Sequence, residues 1–256
     1  MQEQPRTATA AYERDGFAIV PGAVPADVVA TASAAAHEIA AGRYASGLAP
    51  LVRVGPSAYA LTKIDDAHIA DARLRDLVVH PTVAAAARAA TGAGALQLWA
   101  SQLLMKPPGG GGASHVGWHQ DFHYWRYWAA DSELMTVWIA LSEVTAAMGP
   151  MVFIVGSHRW GYRGLGEFFA DQESSAAATA APDGGAVVER PVLLPPGGLS
   201  VHHPLTVHGS GANRSSATRV SIALHLRGAH ARPTPDARDW YVDRDRLADG
   251  WRCPWL

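Results

Sequence analysis

A single cysteine, Cys253, in 256 residues leaves no thiol partner for an internal disulfide. Burial and hydrogen bonding must hold the fold, as suits a reducing compartment. Lysine is almost as scarce: Lys63 and Lys106 are the only two, and arginine carries nearly all the positive charge. Charged residues make up 17% of the chain and the formal net charge is -2, so neither nucleic acid nor an anionic membrane has an electrostatic claim on it. No apolar run reaches the roughly 18 residues that span a bilayer, and the opening Met1-Gln2-Glu3-Gln4-Pro5-Arg6 lacks the apolar stretch of a secretion signal. A soluble, cytoplasmic protein is the expectation. The glycine run 109–112 is not followed by Lys-Ser or Lys-Thr, which removes a phosphate loop and leaves a flexible hinge. No internal repeat is visible.

What is present is a large apolar fraction, 48%, enough for one core of domain size. The expectation is a single domain over 1–256, with a helical part, 1–92, packed on a β core, 93–230. Residues 7–15 carry a short helical pattern, and Phe17-Ala18-Ile19-Val20 is a strand stopped by Pro21-Gly22. An alanine-rich helix runs from Pro25 to about Ala41, and two more, 70–79 and 82–91, are separated by Pro81. From residue 96 the texture changes to short β-type runs: 96–105, 134–141, 151–155, 187–194, 199–203 and 219–226. Glycine and proline clusters punctuate them. The pattern predicts a mainly β protein with flanking α-helices, its core an antiparallel barrel or jelly roll. Residues 126–132 and 161–185 read as connections, the second long enough to be a lid or binding loop.

Twelve histidines offer many candidate ligands. His115, His119 and His123 recur every fourth residue, as on a zinc-binding helix, but Gly117 interrupts and Trp118, Phe122, Tyr124 and Trp125 favour a strand. In a strand, residues two apart share a face, so His119 and Asp121 converge on one point. A further imidazole completes two histidines and one carboxylate on one side of a metal, the donor set of non-haem Fe(II) oxygenases. His202, His203 and His208 all lie within reach of that role by spacing. Arg219, eleven residues past His208, starts another apolar strand. A turn at Asn213-Arg214-Ser215-Ser216 would fold that strand back beside the one carrying His208 and set a guanidinium deep in the barrel. There it would grip a dicarboxylate or, equally by spacing, a structural carboxylate. Phe122, Tyr124, Trp125, Tyr127 and Trp128 crowd just after the metal pair. They fit an aromatic core and a substrate pocket equally well, and His123, His203 and Arg126 would add polar contacts to the pocket.

With these residues assembled, the chain resembles the phytanoyl-CoA dioxygenase family of Fe(II)/2-oxoglutarate oxygenases. The matching segments are Tyr12-Glu13-Arg14-Asp15-Gly16-Phe17 with Val20-Pro21-Gly22, Trp118-His119-Gln120-Asp121, Val137-Trp138-Ile139-Ala140-Leu141, Gly149-Pro150-Met151, Gly156-Ser157-His158, and His208-Gly209-Ser210 through Asn213 to Arg219. The resemblance implies a double-stranded β-helix holding iron through His119, Asp121 and His208. It implies that Arg219 binds the distal carboxylate of 2-oxoglutarate, that Trp138 lines its pocket, and that Lys63, Gln102 or Lys106 contacts its other end. The reaction implied consumes O2 and 2-oxoglutarate, releases succinate and CO2, and attacks an unactivated C–H bond. Halogenating relatives replace the carboxylate ligand with a small residue, so Asp121 favours hydroxylation; desaturation, cyclisation and epimerisation use the same iron chemistry. A lysine-poor surface favours a small or medium-sized metabolite, such as a natural-product intermediate or an amino-acid derivative, over a fatty acyl-CoA. Phe122, His123, Tyr124, Trp125 and His203 are its expected contacts. A jelly-roll metal protein of another kind, a cupin-like lyase or a sensor, would share the ligands without needing Arg219. The oligomeric state is open, and Trp240, Tyr241, Trp251 and Trp255 either pack back on the barrel or form a partner surface.

Overall fold

The computed structural model describes residues 4–54, 61–109, 114–166, 168–169 and 179–256. Most of the 109–112 glycine run and most of the bland 174–181 segment lie outside them. Among the described residues five α-helices run in chain order: α1 Gln4–Asp15, α2 Ala26–Ala40, α3 Ala72–Val78, α4 Pro81–Thr91 and α5 Arg244–Ala248. The strands are β1 Phe17–Val20, β2 Val52–Val54, β3 Thr62–Asp65, β4 Leu96–Lys106, β5 Val116–His119, β6 Leu134–Ala140, β7 Met151–Ile154, β8 Glu189–Pro191, β9 Leu199–His202, β10 His208–Ser210 and β11 Arg219–Gly228. They form two antiparallel sheets, one of seven strands ordered β1-β9-β6-β11-β4-β3-β2 and one of four ordered β5-β10-β7-β8. This is the β-rich jelly roll that the pattern predicts.

The helices begin and end where local chemistry dictates. The Asp71 carboxylate accepts from the Arg73 amide at 2.9 Å to cap α3. Pro81 does more than separate two helices: it is the first residue of α4, which closes on Gly92 in the left-handed region at φ 74°. Along α2, Val29, Ala32, Ala35, Ala36 and Ile39 are buried at helical spacing and face the large sheet. The sheet answers with alternate residues: Leu103, Met105, Val137, Ile139, Val220, Ile222 and Leu224 pack in the same core. Strand periodicity therefore turns Gln102, Leu104, Thr136, Trp138, Arg219, Ala223 and His225 to the opposite face, which lines a cavity between the sheets.

Two expectations are corrected. The mostly helical first ninety residues hold two strands besides β1, since β2 and β3 extend the large sheet beyond β4. The Asn213–Ser216 turn also does not make a hairpin of β10 and β11. β10 sits between β5 and β7, whereas β11 sits between β4 and β6, so this connection crosses from one sheet to the other. The buried Asn213 organises the crossing: its amide nitrogen donates to the carbonyls of Lys106 and Ala217 at 2.9 and 2.8 Å, and its oxygen accepts from Ser215. Neither change moves Arg219 out of the barrel, because it opens β11 opposite Lys106 on the inner face.

The C-terminal segment packs back against β4, where Trp255 bridges Gln97 and the Leu98 amide donates to Pro254. Trp240, Trp251 and Trp255 stay partly exposed, but each carries an arginine over its ring: Arg246, Arg75 and Arg227 respectively. Cys253 is buried, and burial pushes its thiol up to about 11, away from nucleophilic use. No helix among the described residues is long and apolar enough to cross a membrane.

Candidate metal centre

His119 and His208 are a directly opposed pair on β5 and β10, with ring centroids 4.1 Å apart. Asp121 is not in the strand: β5 ends at His119 and Asp121 opens a short 3-10 turn. The convergence expected of residues two apart survives because Gln120 remains extended, at φ -115° and ψ 129°. Gln120 points away from the cavity and ties down the neighbouring loops, donating to Gly161 and Leu205 and accepting from the Arg163 amide at 2.8 Å. Donor atoms of His119, Asp121 and His208 lie within 4.8 Å of one another, all three residues being buried.

The orientation of each donor follows from its other hydrogen bonds. Nδ1 of His119 lies 2.8 Å from the Gly117 carbonyl, and Nδ1 of His208 lies 2.9 Å from the Thr206 carbonyl. A carbonyl only accepts, so both Nδ1 atoms carry the proton and both Nε2 lone pairs face the site. Those Nε2 atoms stand 3.6 and 3.7 Å from Oδ1 of Asp121. Burial alone would raise the Asp121 carboxyl, but His208, His119 and His202 outweigh it and hold it well below its usual range. Burial, helped by His119, pushes His208 well below its usual range. Both Nε2 lone pairs, turned inward beside the Asp121 carboxylate, form the donor set that fits a divalent iron and leaves the opposite side open.

The second oxygen of Asp121, Oδ2, turns to the large sheet. It accepts from the Thr136 hydroxyl at 2.7 Å and lies 3.1 Å from Nε2 of His202. Thr136 in turn lies 3.1 Å from Nδ1 of His225. His202, Thr136 and His225 stand abreast on β9, β6 and β11. His202 is one of the three histidines that spacing leaves open as third ligand; it bonds the carboxylate, while His203 points elsewhere. Nothing in the sequence marks Thr136 or His225 as part of the site.

The far end of the same cavity is cationic. Arg219 is 2% exposed, its guanidinium lies 5.6 Å from the Trp138 ring centre, and it donates to the Gly149 carbonyl. Its Nε has no hydrogen-bond partner among the described residues, and no carboxylate there pairs with it. Burial pushes it down to about 10, which still leaves it charged at neutral pH. Gly149 sits at φ 61°, and a Cβ there would overlap the carbonyls of Gly211 and Ala212. Lys106 is fully buried beside Arg219 but does not line the cavity; it donates to the hydroxyl and carbonyl of Ser210 and to Gly211, clamping β4 to β10. An unpaired buried guanidinium is costly unless an anion reaches it.

The cavity joining the two ends, partly open to solvent, is lined by Gln102 and Trp138 together with Phe168, which sequence reasoning does not single out. Lys63 pairs with Asp65 at 2.5 Å and lies 5.9 Å from the Phe168 ring centre. The residues expected around a substrate divide. Tyr124 stands 6.1 Å from the His119 ring, its hydroxyl accepting from the Phe168 amide. His123 bonds the Tyr162 hydroxyl at 2.9 Å. Trp125 is core, packed with Trp99 and Trp128, and meets the cavity only through the His225 ring, 4.8 Å away. Phe122 and His203 line a different surface cleft, with Tyr12 and Glu133. The structure therefore does not gather these five into one pocket.

Comparison with known proteins gives this geometry a context. Residues 12–221 match the family model described as Phytanoyl-CoA dioxygenase (PhyH). A probable alpha-ketoglutarate-dependent hypophosphite dioxygenase of Stutzerimonas stutzeri is 31% identical over 144 residues, covering 54% of this chain and 47% of that protein. The peroxisomal phytanoyl-CoA dioxygenase of Homo sapiens is 25% identical over 142 residues, covering 50% and 38%. The matched part thus spans less than half the length of these relatives. Among solved structures, the epimerase SnoN in complex with Fe3+, alpha ketoglutarate and nogalamycin RO is 28% identical, with a TM-score of 0.76 over 93% of this chain and 89% of that one. EctD from S. alaskensis is 25% identical, with a TM-score of 0.70 over 95% and 86%. A match running through most of the length, from the first helix to the strand of Arg219, and a shared jelly roll lead to one statement: the chain belongs to the phytanoyl-CoA dioxygenase (PhyH) family.

Proposed function

We propose that this chain is an iron(II)- and 2-oxoglutarate-dependent oxygenase, acting as one domain, that hydroxylates a C–H bond of a small or medium-sized organic metabolite. The observation that carries the reading is one cavity with two complementary ends: the donor triad His119, Asp121 and His208 at one, and the carboxylate-free guanidinium of Arg219 at the other. When bound, iron(II), 2-oxoglutarate and O2 supply the oxidising power for the attack, with succinate and CO2 as co-products.

Each residue then has a physical task. His119, His208 and Oδ1 of Asp121 hold the metal on one side. Arg219 pairs with the distal carboxylate of the cosubstrate, and its hydrogen bond to Gly149 keeps the guanidinium aimed inward. Trp138 walls the dicarboxylate against the β6 side and excludes water, and Gln102 offers an amide from the floor of the cavity. Lys63, neutralised by Asp65, and Tyr124 border the side nearer Phe168, where a substrate would meet the site. The structurally similar epimerase SnoN, complexed with Fe3+, alpha ketoglutarate and nogalamycin RO, supports the cofactor set and the metabolite class.

The test is anaerobic titration of the metal-free protein with Fe(II) and 2-oxoglutarate, followed by admission of air with candidate metabolites. A visible metal-to-ligand charge-transfer band and succinate release are expected. A product that gains one oxygen atom marks hydroxylation; a product of unchanged composition marks epimerisation. A protein that gives neither band nor succinate is a jelly-roll metal protein of another class.

A further inference from the structure

The two oxygens of Asp121 have different surroundings, and the hydrogen bonds around Oδ2 have only one self-consistent direction. An ionised carboxylate accepts and never donates. Nε2 of His202, 3.1 Å from Oδ2, must therefore carry the proton, and the Thr136 hydroxyl, 2.7 Å away, must spend its hydrogen on the same atom. With that hydrogen committed, Thr136 accepts from His225, whose Nδ1 is then the protonated nitrogen. The array reads His225 Nδ1–H to Thr136, Thr136 O–H to Asp121, and His202 Nε2–H to Asp121. His202, Thr136 and His225 are buried on three adjacent strands of the large sheet, fixed by direct cross-strand register. Nδ1 of His202 is buried without a partner among the described residues, so its one bond is the one to Asp121.

We infer that His202 and Thr136, the latter oriented by His225, are positioning residues that hold Oδ2 off the metal and make Asp121 a one-oxygen ligand. This rests on the reading of the triad as an iron(II) site. A carboxylate that chelates through both oxygens takes an additional coordination position, and the proposed reaction needs the open side for two atoms of 2-oxoglutarate and one of dioxygen. Two charge-assisted donors on Oδ2 stabilise that oxygen in the sheet instead. The large sheet, which supplies none of the three ligands, would in this way set the number of open positions.

Cobalt(II), added anaerobically to the metal-free protein and followed by calorimetry and visible absorption, tests the array. His202→Phe keeps a ring without a donor, and Thr136→Val keeps the shape without a hydroxyl. Each is expected to bind cobalt about 10–100-fold more weakly than the unsubstituted protein and to shift its visible bands, because Oδ2 is free to turn to the metal. His202→Gln, which returns an N–H near the same point, and Thr136→Ser are expected to recover both readouts. Should His202→Phe fail to fold, the two Thr136 variants decide. Variants that match the parent in affinity and bands overturn the inference, as does loss that the conservative variants do not rescue. A parent protein that takes up no cobalt overturns the iron reading together with it. Nitrogen-15 NMR of the metal-free protein adds an independent check: protons on Nε2 of His202 and Nδ1 of His225 are expected, and a proton on Nδ1 of His202 refutes the array.

Discussion

The two ends of the central cavity are built on opposite principles. At the metal end every orientation is decided in advance: two backbone carbonyls set the ligand imidazoles, and two donors occupy the outer oxygen of Asp121. At the other end Arg219 keeps a buried charge with an unpartnered Nε and no carboxylate among the described residues. The first end has its donor atoms fixed by hydrogen bonds and suits a cation; the second carries an unpaired charge and suits an anion. Under the proposed function, a dicarboxylate that also binds the metal would satisfy both at once. The difference teaches that affinity for such a molecule is divided: geometry at one end, neutralisation at the other.

The largest break in this comparison comes from Asp121→Ala. It removes the only anion of the triad, so Fe(II) binding and succinate release should both be lost, while far-ultraviolet circular dichroism keeps the β signature. Undiminished turnover in that variant would remove the triad from the mechanism. Next is Arg219→Met. It should raise the 2-oxoglutarate concentration needed for half-saturation by a factor corresponding to about 3–5 kcal/mol, as for a broken buried ion pair. The melting temperature of the ligand-free variant should hold steady or rise, because a desolvated and unpaired charge has gone. A large fall in that temperature would mean Arg219 serves the fold first.

Gly149→Ala should act on the cationic end alone. A left-handed φ and overlap with two carbonyls predict a loss of roughly 1–3 kcal/mol in stability. Displacing the carbonyl that Arg219 grips should also weaken 2-oxoglutarate more than it weakens cobalt(II), which paired titrations would reveal. The smallest effect concerns pH. Burial pushes His225 down to about 4, below its unfolded value near 6.5. The unfolded chain therefore binds the extra proton first, so stability is full above about pH 6.5 and falls progressively as pH drops toward 4. By pH 5.5 this residue should cost about 1 kcal/mol. Denaturant titrations of His225→Gln should show a shallower acid slope than the parent; an unchanged slope would assign the loss to other groups.

How much of this was legible beforehand follows from the range of each interaction. The helices were readable because their caps are local: Asp71 bonds an amide two residues away, and Gly92 closes α4 on its own conformation. His119 and Asp121 were readable because extended backbone returns every second side chain to one face, even though Asp121 lies just beyond the strand. β3 was missed because Thr62-Lys63-Ile64-Asp65 carries one of the chain's two lysines, half-buried in an ion pair with Asp65, and so does not look like an apolar strand. The β10–β11 link was misread as a hairpin because a short polar turn looks the same whether it stays in one sheet or crosses to another.

Local periodicity and residue chemistry in the sequence alone determined the donor types, the β character of the chain and the separation between the metal ligands and Arg219. Spacing left His202, His203 and His208 open and the family resemblance implied His208; the tertiary structure brings His208 to His119 and Asp121 and alone decided that His202 turns to the outer oxygen of Asp121. It also decided that Phe122 and His203 leave the site for another cleft and that Trp125 belongs to the core. The physical reason is that these choices depend on which strands lie side by side. Thr136, His202 and His225 are brought abreast by register between three strands far apart in the chain, and no spacing along the sequence encodes that alignment.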